Sequence, residues 1–246
     1  MSYNGSAYHG WQIQHNAPSV QGQLEHALSL LLRAHIQVVG AGRTDTGVHA
    51  SYYVAHFDCT EPPANLKDFV FHLNSMLPHD IAISHIQPVT DSAHARFDAT
   101  RREYTYYISP HKNPFNRGLA WFMPTPLSVE NMNEAAHYLT EFDDFTSFAK
   151  LHSSNKTNIC HVTSARWSEE GNLLVFKISA DRFLRNMVRA VTGTLVDVGR
   201  GRLTPAQFKH IIEARDLSLA SSSAPPQGLF LSGISYPDHI FIDGER

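Results

Sequence analysis

Apolar side chains recur at three- and four-residue steps through Leu24, Ala27, Leu28, Leu31 and Leu32, behind Ser19, a side chain suited to cap a helix. The pattern predicts a helix from Val20 to about His35. Residues 38–41 and 52–58 read as strands, and the glycines and threonines of Gly42-Arg43-Thr44-Asp45-Thr46-Gly47-Val48-His49 read as the loop between them. A second helix is expected over 65–77, closed by Pro78, then a strand over 81–89. Residues 101–109, rich in aromatic and β-branched side chains, predict another strand.

The remainder repeats this inventory. Residues 119–122 predict a short strand, and Ser128 caps a helix containing Met132, Ala135, Ala136 and Leu139. Residues 160–168 and 173–180 form a hairpin around Glu169-Glu170-Gly171-Asn172, and 183 to about 198 reads as an apolar-basic helix. Thr204-Pro205-Ala206-Gln207 has the cap, the proline and the reciprocal Gln of a helix start, and that helix runs to about Glu213. A last strand spans 229–236, with linker-like stretches at 110–116, 151–158 and 220–227. Two successive sets of helices and strands predict an α+β protein with a mixed or largely antiparallel sheet. Its halves, 1–109 and 110–246, are expected to share that sheet.

With 42% hydrophobic and 17% charged residues in 246, the chain can bury a core and is neither disordered nor fibrous. No apolar run approaches the ~18–20 residues of a membrane span, and Met1 to Trp11 carries no signal-peptide pattern. A cytoplasmic protein is expected. Cys59 and Cys160 lack the spacing of a zinc site and make no disulfide framework, and the histidines are scattered without ligand spacing, so no metal is expected. The formal charge of −3 gives no global sign of nucleic-acid binding. Its distribution does: residues 94–117 and 181–202 each hold five Lys/Arg against two Asp/Glu, while 1–90 holds three against six.

Asp45 is a carboxylate in an uncharged loop whose nearest basic neighbour in sequence is Arg43. Such a loop can present a carboxylate to a ligand, or Asp45 can serve only as an Asx-turn acceptor for the amides after it. Asp45-Thr46-Gly47 also spells the motif of aspartic proteases. Those enzymes need two carboxylates sharing a proton, however, and the chain has one copy of the motif, preceded by Arg43-Thr44 instead of an apolar strand.

Gly42 to Ala50, GRTDTGVHA, closely resembles the G-R-T-D-x-G-V-H-A signature of the tRNA pseudouridine synthase A (TruA) family. Agreement extends to Tyr8-His9-Gly10-Trp11-Gln12, to Ala95-Arg96-Phe97 with Arg102-Glu103-Tyr104-Thr105-Tyr106, to Phe183-Leu184-Arg185-Asn186-Met187-Val188-Arg189 with Gly193-Thr194, and to Ala224-Pro225-Pro226-Gln227-Gly228-Leu229. The resemblance implies the pseudouridine synthase fold, with two ferredoxin-like or RRM-like halves. It also implies isomerisation of uridine to pseudouridine at positions 38, 39 and 40 in the anticodon stem-loop of transfer RNA, by a homodimer without cofactor.

By the same resemblance, Asp45 is the catalytic nucleophile or base and Arg189 the arginine that pairs with it. Tyr104 is the tyrosine that stacks on the uracil, with Tyr106 left to packing. Arg43 helps draw the uridine from its stack, and His49 either touches RNA or orders the loop. The two basic segments supply Arg96, Arg101, Arg102, Arg182 and Arg185 as expected RNA contacts. A non-catalytic RNA-binding module on the same fold is the alternative. Two departures stand out: Asn4 occupies the usual Asp position after a shortened or missing first strand, as if the true start lay upstream, and Thr46 replaces a commoner alanine.

Overall fold

Capping side chains set the helices. In the computed structural model, which describes residues 1–150 and 157–242, Ser19 accepts from the Gly22 amide and starts α1 (Val20–Leu32). Asn65 accepts from Lys67 and Asp68 to start α2 (Leu66–Met76). Two units divide the chain, one of Met1–Thr100 with Leu231–Arg246 and one of Arg101–Phe230. The fold is α+β, with mostly antiparallel strand pairing.

In the first unit, Val20, Leu24, Ala27 and Leu28 bury one face of α1, which ends at Arg33 in the left-handed region (φ 51°), short of the expected His35. Five strands of two residues carry the backbone: β1 (Ser2–Tyr3), β2 (Val39–Gly40), β3 (His49–Ala50), β4 (Ala55–His56) and β5 (Ile81–Ala82). β1 lies antiparallel between β3 and β5, and β2 pairs with β4. Three expectations change here. The strand over 81–89 stops at Ala82, because the Asn74 amide takes both the N–H and the C=O of Ile83 (2.7 and 2.8 Å). Only Ala55–His56 of 52–58 is strand, since the Tyr53 N–H donates to the Met1 carbonyl instead. The end of the expected Asp45 loop is itself β3, with Ala50 opposite Tyr3.

The second unit is built on β6 (Arg101–Ser109). The two-residue strand β7 (Trp121–Phe122) lies parallel to it on one side, and on the other β9 (Leu173–Ala180) runs antiparallel to both β6 and β8 (Val162–Glu170). Gly171 alone takes positive φ (61°) in the two-residue β8–β9 turn, as a type II′ turn requires. Helix α3 (Val129–His137), capped by Ser128, packs on β8, on α4 (Met187–Gly199) and on α5 (Pro205–Ala214). The capping box expected at Thr204 and Gln207 is complete. The helix expected from Phe183 begins four residues later, because Asn186 sits in the left-handed region (φ 66°) and breaks the turn before it. The final strand, β10 (Leu229–Ser235), carries the chain from the second unit back to the first. Of the expected linker 151–158, only the last two residues lie among those described.

Candidate active site

In the first unit the Asp45 loop is fixed from beneath by the chain's opening segment. Gly10 (φ 93°) comes so close that a Cβ there would lie 2.3 Å from the Thr44 carbonyl oxygen. That carbonyl accepts from the Trp11 N–H (3.3 Å), and the Gly47 N–H donates to the Tyr8 carbonyl (3.3 Å). Gly5 meets the loop's far end, where a Cβ would stand 2.0 Å from the Val48 oxygen. The Gly5 N–H donates to Nδ1 of His49, which is fully buried, so His49 orders the loop. Thr44, buried, shares a hydrogen bond with the Tyr3 hydroxyl (2.9 Å), and Tyr53, stacked on Trp11 at 4.1 Å, donates to the Gly42 carbonyl. The Asp45 carbonyl accepts from the Val48 N–H (3.1 Å) across a turn in which Gly47 takes positive φ (74°). With its backbone held this way, Asp45 is half-buried, while Arg43 and Thr46 are exposed.

In the second unit, Tyr104 of β6 is half-buried and meets Phe183 edge to face, ring centroids 5.2 Å apart. Tyr106, two residues on, is fully buried, and its hydroxyl donates to the Pro225 carbonyl (2.8 Å). Burial pushes its phenol well above the ordinary range, with the nearby Arg189 charge opposing.

Arg189 lies on the first turns of α4 beside the segment 221–225. Its Nε donates to the Ala224 carbonyl (2.7 Å), and its own carbonyl accepts from the Ala224 N–H (2.9 Å). The same strap takes a hydrogen bond from Asn186 Nδ2 to Ser223 Oγ (2.7 Å) and gives the Ser221 N–H to Thr194 Oγ1 (3.2 Å). Gly193 leaves room for it, since a Cβ there would stand 2.0 Å from the Ser222 oxygen.

The family described as tRNA pseudouridine synthase matches residues 1–98 and 135–237. Relatives named tRNA pseudouridine synthase A from Parabacteroides distasonis and Bacteroides thetaiotaomicron are 52% and 51% identical to this chain. They cover 98% and 99% of it and 96% and 91% of their own lengths. One of the same name from Pseudoalteromonas translucida is 39% identical over 98% of the chain and 92% of its own. The chain belongs to the tRNA pseudouridine synthase family.

In this synthase-family chain the arginines of the basic segments fall in several places. Arg102 and Arg182 gather where β6 begins and β9 ends: Arg102 lies opposite Ala180, and its guanidinium donates to the Asp181 carbonyl (2.8 Å). Arg101 stands 3.9 Å from Glu103, and Arg185 is exposed on the non-helical approach to α4. Arg96 is exposed on a turn of the first unit. Sequence reading quoted Phe183 and Ala224 without a role, and it missed the service of Gly5 and Gly10 under the loop. Gly10, inside the matched segment from Tyr8 to Gln12, was the available signal, whereas Gly5 lies outside the matched segments. Among the described residues, no group of three His, Cys, Asp or Glu side chains is placed to hold a metal ion, and no helix is long and apolar enough to cross a membrane.

Proposed function

We propose that this chain isomerises uridine to pseudouridine in transfer RNA, at positions 38, 39 and 40 of the anticodon stem-loop. The observation that carries the reading is the Asp45 loop, which matches the family signature at every position except its variable one, held by Thr46, and keeps its carboxylate half-buried on a backbone anchored at Thr44, Asp45 and Gly47. Atoms and electrons balance: the C1′–N1 bond breaks, the uracil turns over, C5 bonds to C1′, a proton leaves C5 and N1 ends protonated. A carboxylate that attacks C1′ or takes a sugar proton meets this demand without redox chemistry.

Asp45 is that nucleophile or base, and Arg189 is the cation that pairs with it and stabilises charge in the step. Tyr104, braced by Phe183, stacks on the uracil, and Arg43 helps draw the nucleotide from its helix. Arg96, Arg101, Arg102, Arg182 and Arg185 meet the phosphate backbone, which suits recognition by RNA shape. The working form is a cytoplasmic homodimer without metal or cofactor.

The test is tritium release from transfer RNA labelled at uracil C5. The unsubstituted protein is expected to release tritium, and Asp45→Asn to lose at least about 10³-fold in rate while binding RNA. An unsubstituted protein that binds the substrate and releases nothing is a non-catalytic RNA-binding module, which overturns the enzyme reading.

A further inference from the structure

We propose that the turn over residues 94–98 is a preformed stacking platform for an unpaired nucleobase of the RNA, with the ring of Phe97 as its surface. Phe97 is 74% exposed, yet its backbone is tightly held. His94 Nδ1 accepts from the N–H groups of both Arg96 (3.1 Å) and Phe97 (3.2 Å). The His94 N–H donates to the Asp98 carboxylate (2.7 Å), and the Asp98 N–H donates back to the His94 carbonyl (3.1 Å). Beneath them Ala95, buried, gives its N–H to His56 Nδ1 (3.0 Å) and receives the Tyr236 hydroxyl on its carbonyl (2.5 Å). Every N–H from 94 to 98 is therefore committed, and the turn is anchored from below.

The rings extend this order outward. His56 meets His94 edge-on at 5.0 Å, His94 backs Phe97 at 4.2 Å, and the Arg96 guanidinium lies 5.7 Å from the Phe97 centroid. A wet aromatic ring on a rigid turn loses little conformational freedom on binding, and it offers a π-face that any base can cover. Its neighbours decide between occupants. A contact with a second copy of the chain calls for adjoining apolar surface, but Phe97 stands in the chain between Arg96, which is exposed, and Asp98, which is half-buried. An exposed aromatic beside a guanidinium, in a segment with five basic residues against two acidic, matches single-stranded RNA instead.

The platform rests on the RNA substrate proposed above, and its test is separable from that reading. Affinity for an anticodon stem-loop RNA is measured for the unsubstituted protein and for Phe97→Ala, Phe97→Leu and Phe97→Trp, with thermal melts checking the fold. The Ala and Leu variants are expected to bind about 5- to 150-fold more weakly and the Trp variant to bind normally, its emission quenched by the RNA. Because stacking releases no counterions, Phe97→Ala keeps the salt dependence of binding, whereas Arg96→Ala lowers its slope by about 0.7 to 1. Unchanged affinity in Phe97→Ala, or a Phe97→Leu variant that binds like the unsubstituted protein, overturns the platform. So does loss of self-association in Phe97→Ala without loss of RNA affinity, which assigns the ring to a second copy. Tritium release by the unsubstituted protein reports on the activity separately, whatever the Phe97 variants do.

Discussion

Arg189 and Ala224 hold each other twice: the Arg189 side chain donates to the Ala224 carbonyl at 2.7 Å, and the Ala224 N–H donates to the Arg189 carbonyl at 2.9 Å. The side chain is thus tied at Nε, so its terminal nitrogens are aimed by the backbone of the strap as well as by the helix. Lysine keeps the charge and lacks this fork. Arg189→Lys is expected to lower kcat by about 10²–10³-fold, with tritium release at saturating transfer RNA as the readout. Arg189→Met removes a charged hydrogen bond as well and should cost about 1.5–3 kcal/mol in urea unfolding. Near-normal kcat in either variant contradicts the role.

Gly193 sets how closely the strap approaches α4. A methyl group at this position meets the Ser222 oxygen at 2.0 Å, a distance that backbone alone must relieve. Gly193→Ala is expected to destabilise the protein by about 1–3 kcal/mol and to depress kcat, because the displaced strap carries Ala224 with it. Equal urea midpoints for the variant and the unsubstituted protein would show that the strap gives way freely.

Gly10 plays the same part under the Asp45 loop, with the added burden of φ 93°. In Gly10→Ala the new carbon presses on the Thr44 carbonyl, one residue before the carboxylate. Stability should drop by about 1–3 kcal/mol and turnover by about 10²-fold, with RNA affinity little changed. Single-turnover rates and binding isotherms separate the two effects.

His56 makes the first unit sensitive to acid. Burial, then the neighbouring His94, hold its imidazole below the ordinary value, against the opposing pull of Asp58 and Asp98. The unfolded chain therefore takes up this proton first as pH falls through about 6.5, so the stability His56 contributes is complete above that value and declines below it. The urea midpoint should fall between about pH 7.5 and about pH 5.5, and the fall should shrink in His56→Gln. Protonating Nδ1 in the folded protein also ends its bond to the Ala95 N–H, so the Phe97 contribution to RNA binding should fade at lower pH than that at which the unfolded chain takes up the proton.

What could be read from the sequence was local. The helices that start at Ser19, Asn65, Ser128 and Thr204 carry their caps within three residues, and β6 and the β8–β9 hairpin were legible from side-chain type and one glycine. The start of α4 was hidden because Asn186 answers to Ser223, 37 residues away. The stop of β5 was hidden because Asn74 reaches Ile83 across the α2–β5 connection. At the candidate site, GRTDTGVHA singled out Asp45, but the reason for its glycine-flanked partners lies in the approach of Gly5 and Gly10 from the chain's opening segment. Pattern along a chain shows which face is apolar; it does not show which distant backbone will claim a polar group.

The strap also has a place in time. Ala224 follows Arg189 by 35 residues, so it leaves the ribosome after α4 and α5 are already made. Domains form as their segments emerge, and a nascent chain can pack most of the second unit before the bond between this arginine and Ala224 exists. The Nε bond to Ala224 forms when the strap closes over Gly193, which makes this part of the side chain's setting a late event in the chain's synthesis.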